Sequence, residues 1–142
     1  MIWHRSFEQR LLAWNSLRTT CQNQDLESAL TDINCWWMNT PWTAYYLHWD
    51  DLRDWPDPWQ LLNENIFCDV ARGLGILYTI TMLQRTDVVD ARLVETKNYN
   101  LVLVNEEKYI LNWYPDKIVN NNFKEQTVRR CITQQELQQK LQ

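Results

Sequence analysis

Residues 66–83, IFCDVARGLGILYTITML, form the most apolar stretch of the chain, and they hold both of its glycines. Ile66, Val70, Leu74, Leu77 and Ile80 or Thr81 recur at helical spacing, while Phe67, Ala71 and Tyr78 widen that face. A helix apolar around most of its circumference has to be buried on nearly every side. Gly73 and Gly75 each cost such a helix about 1 kcal/mol relative to alanine. The expected return is close approach of another backbone, such as a sheet laid across the helix.

The segments on either side supply the covering layers. Trp3, Phe7, Leu11, Trp14 and Leu17 mark one face of an amphipathic helix. Asp25 can cap a second helix over 25–38, with Leu26, Ala29, Leu30, Ile33 and Trp37 as its stripe. Thr40-Pro41 has the form of a cap and first turn, opening the aromatic segment WTAYYLHW. Asp57, Pro58 and Gln60 make a capping-box arrangement for a short helix over 58–64. After about residue 86 the period changes to that of strands: VVDARLVET, NLVLVN and KYILNWY are β-branched or aromatic runs separated by KNYN and by Asn105-Glu106-Glu107. Short turns between adjacent strands predict an antiparallel meander. NNNFKEQ is expected to be a loop, VRRCI a fourth, edge strand, and Thr133 with Glu136 the cap of a terminal helix. The fold class expected is α+β in a single domain over 1–142. It comprises a helical part (1–54), a helix-plus-meander core (55–116), and an edge strand with a terminal helix (117–142).

Composition excludes several roles. The net charge is −4 and the only short basic cluster is Arg129-Arg130, too little for nucleic acid. No run of eighteen apolar residues exists, so no membrane span is expected, and MIWHRSFEQRLLAW has no secretion-signal pattern. The four cysteines (Cys21, Cys35, Cys68, Cys131) contain no CxxC pair and read as free thiols of a reducing compartment. No cofactor loop is visible and no cofactor is expected. Asp50, Asp51, Asp54 and Asp57 lack the glycine turn and terminal glutamate of a calcium loop; solvated turns and caps explain them, and no metal is expected. Nine tryptophans exceed what a core of this size comfortably hides. They read either as core indoles half-exposed at element ends or as a contact surface, since interfaces are enriched in Trp and Tyr. The candidate contact residues are Trp42, Tyr45, Tyr46, Trp49, Trp55 and Trp59, with the first helix as a further candidate.

Cys68 lies at the start of the most buried helix, where the positive end of the helix dipole favours a thiolate. A cysteine opening a core helix, followed by a β-meander, resembles the transglutaminase-like and papain-like cysteine fold over residues 55–114. The resemblance implies that Cys68 stands at the nucleophile, Asn100 at the base histidine, and Asn112 (or Asp116 just beyond it) at the orienting residue. Asparagine has no nitrogen that titrates near neutral pH, so the thiol–base pair would be missing and the site degenerate. His48 and His4 precede Cys68 in the chain and neither occupies the strand position.

WPDPWQLLNENIFCDVARGLGILYTITML, followed by LVLVNEEKYILNW, also resembles small proteins encoded by tailed bacteriophages. That resemblance implies a structural or assembly component of the virion, in the neck, tail or baseplate, made in the host cytoplasm. Its partners would be phage structural proteins, and it would be oligomeric within an assembly. The expected function is therefore non-enzymatic protein–protein interaction on an enzyme-like scaffold. The alternatives are a thiol amidase or transglutaminase-like enzyme using Cys68, and a factor that binds a host protein.

Overall fold

The computed structural model describes residues 1–120 and 127–141. Ser6 opens the first helix. Its hydroxyl accepts from the Gln9 amide while the Gln9 side chain accepts from the Ser6 amide, satisfying two amides that have no partner within the helix. Helix α1 therefore spans Phe7–Gln22, and the stripe expected from Trp3 begins in a separate 3-10 turn, Ile2–His4. Trp3 is buried all the same, against Trp36, Trp37 and Phe67. Asp25 caps α2 (Leu26–Met38) as its sequence suggests. The helix start expected at Thr40-Pro41 does not form. The Thr40 hydroxyl instead donates to the Trp37 carbonyl at 2.9 Å, closing α2, and residues 41–48 follow as an irregular loop. A 3-10 segment, Trp49–Asp54, leads to α3 (Pro58–Glu64), where Asp57 and Gln60 form the expected reciprocal cap.

Helix α4 (Asp69–Leu83) begins inside the apolar stretch because Cys68 is extended (φ −107°, ψ −176°) and Phe67 is bridged to Trp42. It packs against α1, α2 and α3, and against two strands of a five-stranded antiparallel sheet. The strands are β1 (Ala91–Glu95), β2 (Asn100–Val104), β3 (Tyr109–Leu111), β4 (Val119–Asn120) and β5 (Arg130–Thr133), in the order β4-β3-β2-β1-β5. The meander β1-β2-β3 and the edge strand at VRRCI are as expected, with Glu95 opposite Arg130 in β5. Strand β4 is an addition; it claims Asn120 from the expected NNNFKEQ loop, whose other residues lie outside the described ones. Thr133 and Glu136 cap α5 (Gln134–Gln138), which also leans on α4. Among the described residues no helix is long and apolar enough to cross a membrane.

Burial and hydrogen bonding together fix α4. Leu93, Val102, Val104 and Leu111 join the main core on one sheet face, while Val94, Leu101, Leu103 and Ile110 form a second cluster on the other. The indole N–H groups of Trp14 and Trp37 both donate to the Thr79 hydroxyl at 2.9 Å, and Thr79 donates to the Gly75 carbonyl at 2.8 Å. A single hydroxyl thus satisfies two buried donors that would otherwise carry a desolvation cost. The glycines receive side chains, where the sequence suggested a backbone. A Cβ at Gly75 would lie 2.4 Å from the Trp37 ring, and one at Gly73 would lie 2.6 Å from a Leu93 methyl. Gly75→Ala should therefore cost about 2–3 kcal/mol despite alanine's better helix propensity. Chemical denaturation measures it, and a gain in stability would show that Trp37 does not rest on that face.

Candidate functional site

Cys68 sits at the head of α4 under a strap formed by residues 41–48. Trp42 makes a parallel bridge with Phe67, and the Thr43 amide donates to the Phe67 carbonyl at 2.7 Å. The Trp42 ring N–H donates to Asp69 at 3.3 Å, and the Leu47 amide donates to the Cys68 sulfur at 3.3 Å. Cys68 is left 5% exposed. Arg72 anchors the strap's origin from within α4, donating to the Thr40 hydroxyl at 2.8 Å and the Thr40 carbonyl at 2.7 Å. Burial lowers this guanidinium from its ordinary value, with Asp69 and Cys68 opposing the effect.

Asn100 opens β2 and shares with Cys68 a cleft of about 390 Å³, walled by the strap on one side and the β1–β2 turn on the other. Its side-chain oxygen accepts the Trp49 indole N–H at 2.8 Å. Asn112 does not orient the Asn100 side chain, as the resemblance implied. Just past β3 the chain turns left-handed (Asn112 φ 67°), and the Asn112 amide group donates to the Asn100 carbonyl at 2.7 Å and the Asp69 carbonyl at 2.9 Å. The Asn112 backbone N–H donates to Asn34 at 2.7 Å, and Asn34 in turn donates to the Tyr114 and Lys117 carbonyls. The result is a polar lock that ties the head of α4 to β2, β3 and α2. Asp116, the other orienting candidate, is exposed beyond β3. Neither histidine lines the cleft: His48 is exposed with its carbonyl accepting from Trp55, and His4 is exposed in the first turn. Asparagine side chains neither take up nor release a proton at neutral pH, so this pair can hold geometry but cannot activate a thiol.

The expected aromatic surface divides. Trp42 and Tyr45 are exposed, at 56% and 84%, with Tyr45 in the left-handed region (φ 60°) at the tip of the strap. Tyr46 is half-buried, its hydroxyl bonded to Glu64, and Trp59 is partly exposed, packed edge-on against Trp14. Trp49 and Trp55 are a correction. They are buried at 7% and 3%, packed edge-to-face at 5.0 Å, with both ring N–H groups bonded inside the protein. Two indoles that bury each other and satisfy their own polar groups are core and cannot form a contact surface. Among the described residues no group of His, Cys, Asp or Glu is arranged to hold a metal ion; Asp57 caps α3 and Asp50 pairs with Arg130.

The polar lock was missed in the sequence. Its one signal was Asn34, a polar residue between Ile33 and Trp37 on the apolar side of α2. Comparison with protein-family models, curated proteins and solved structures finds no match for the chain. The lock gives a direct test. Asn112→Asp would set a carboxylate, which cannot donate, against two carbonyl oxygens, costing about 3 kcal/mol at neutral pH. The deficit should shrink as pH falls, since the protonated acid can again donate. Denaturation at two pH values measures this, and an unchanged stability would show that the lock does not carry load.

Proposed function

We propose that the chain is a non-enzymatic protein-binding component of a larger assembly, built on a transglutaminase-like scaffold whose thiol site lacks a base. What carries the reading is the Asn100–Asn112 arrangement. The side chain nearest the role of a base is an amide held by Trp49, and the residue behind it spends its amide group on backbone carbonyls. The resemblance to small tailed-phage proteins supports the neck, tail or baseplate of a virion as that assembly, with phage structural proteins as partners. Trp42 and Tyr45 support a contact surface on the strap, since they are large, exposed and set on a loop pinned by the backbone bridge to Phe67 and by the hydrogen bonds to Asp69 and Cys68. Rigid aromatic anchors of this kind dominate binding energy at interfaces.

A second reading, a thiol amidase or acyl-transfer enzyme, draws support from the cleft that Cys68 shares with Asn100. Two substitutions separate the two. Under the proposal, Cys68→Ala leaves co-sedimentation with the assembled particle unchanged. Trp42→Ala combined with Tyr45→Ala weakens it about thirtyfold, equivalent to about 2 kcal/mol. Loss of function in Cys68→Ala with stability intact would favour the enzyme.

A further inference from the structure

The strap over Cys68 is fixed at both ends and lightly held between them. At its start Thr40 is buried, its hydroxyl donating to the Trp37 carbonyl and both of its oxygens accepting from Arg72. At its end the His48 carbonyl accepts from the Trp55 ring, and Trp49 is buried with its own ring N–H on Asn100. Residues 41–45 are all exposed, and Tyr46 and Leu47 are half-buried. Among the described residues two amides of 42–48 donate, Thr43 to the Phe67 carbonyl and Leu47 to the Cys68 sulfur. Sulfur is a weak acceptor. The side-chain bonds from Trp42 to Asp69 and from Tyr46 to Glu64 lie in the open, where water competes for the same groups.

The strap is also strained. Tyr45 has φ 60°, a region that bulky residues enter only at a cost. Its ring is exposed, so a strap that lifts gives up little packing there and lets this residue relax. Segments with few buried apolar contacts and few bonded amides open locally, at a free energy well below that of global unfolding. Cys21 is the contrast. It is fully buried, its thiol 3.7 Å from the Ala29 carbonyl, and exposing it requires α1 to part from α2.

We propose that residues 41–48 are a lid, opening about the Thr40 and Trp49 anchors while the rest of the fold stays closed, and that Cys68 meets solutes only through this opening. Cys68 lines the neighbouring cleft, but its 5% exposure is too little to admit a reagent while the strap is down. The inference concerns the strap's motion and does not depend on whether its aromatics contact a partner.

Iodoacetamide labelling of the full chain, read residue by residue from peptide masses, tests it. Cys68 should react about a hundredfold more slowly than the exposed Cys35 and Cys131, and still far faster than Cys21. Urea below the unfolding transition should barely change the Cys68 rate, because little surface is uncovered, and should raise the Cys21 rate steeply. Trp42→Ala, which removes the bond to Asp69, should speed Cys68 labelling about tenfold with Cys21 unchanged. Tyr45→Asn should slow it about threefold, because asparagine tolerates the left-handed region and steadies the closed strap. Labelling of Cys68 as fast as Cys35 overturns the proposal, as does a urea dependence as steep as that of Cys21. Rates unmoved by both substitutions also overturn it, since the reagent would then reach the sulfur from the cleft.

Discussion

The fold depends on how closely α4 can be approached from two sides. Trp37 comes down from α2 onto Gly75, and Leu93 comes up from β1 onto Gly73, each to a distance where a methyl group has no room. Two bare positions, two residues apart on one helix, let a tryptophan ring and a sheet close on the same buried rod. The Thr79 hydroxyl then fixes Trp37 and Trp14 together over that rod. Interiors are packed at the density of organic crystals, so such contacts have discrete solutions and little slack. Once α4 is clamped, the place of its head relative to β2 follows, and with it the cleft that Cys68 and Asn100 both line.

The polar lock completes the same geometry by hydrogen bonding. Asn112 takes a left-handed conformation that asparagine tolerates better than most residues, and from there it reaches the carbonyls of Asp69 and Asn100. Asn34 holds its backbone from the opposite side. In a buried setting each such bond has to be made, because an orphaned partner costs more than the bond contributes. On the proposed reading, a position suited to proton transfer carries a group that only fastens strands. On that reading the cleft keeps a shape without its reaction, and the exposed Trp42 and Tyr45 of the strap are the proposed contact surface.

What was legible in the sequence was local. Asp57 with Gln60 and Thr133 with Glu136 announce their helices because a cap is chemistry between residues three apart. The change of period near residue 86 gives the strands for the same reason. Ser6 with Gln9 carried an equal signal, but the apolar spacing from Trp3 ran across it; the cap prevails because it satisfies amides directly. Thr40 shows the reverse error, a hydroxyl able to close a helix behind it as well as open one ahead. The side on which each tryptophan falls was not legible. Trp49 and Trp55 look no different in sequence from Trp42, and only their mutual packing and the distant Asn100 decide the matter. The Asn34–Asn112 bond, between residues 78 apart, and the two-residue β4 leave no local pattern to read.

On the proposed reading, the Cys68 thiol stands without a proton acceptor. This is tested most directly by intact-mass spectrometry of the full chain incubated with a glutaminyl peptide. Attack by the sulfur on the carboxamide would form a thioester on the protein and release ammonia. An unmodified mass and no ammonia are expected. A peptide-sized adduct on Cys68, with ammonia released in equal amount, would contradict it.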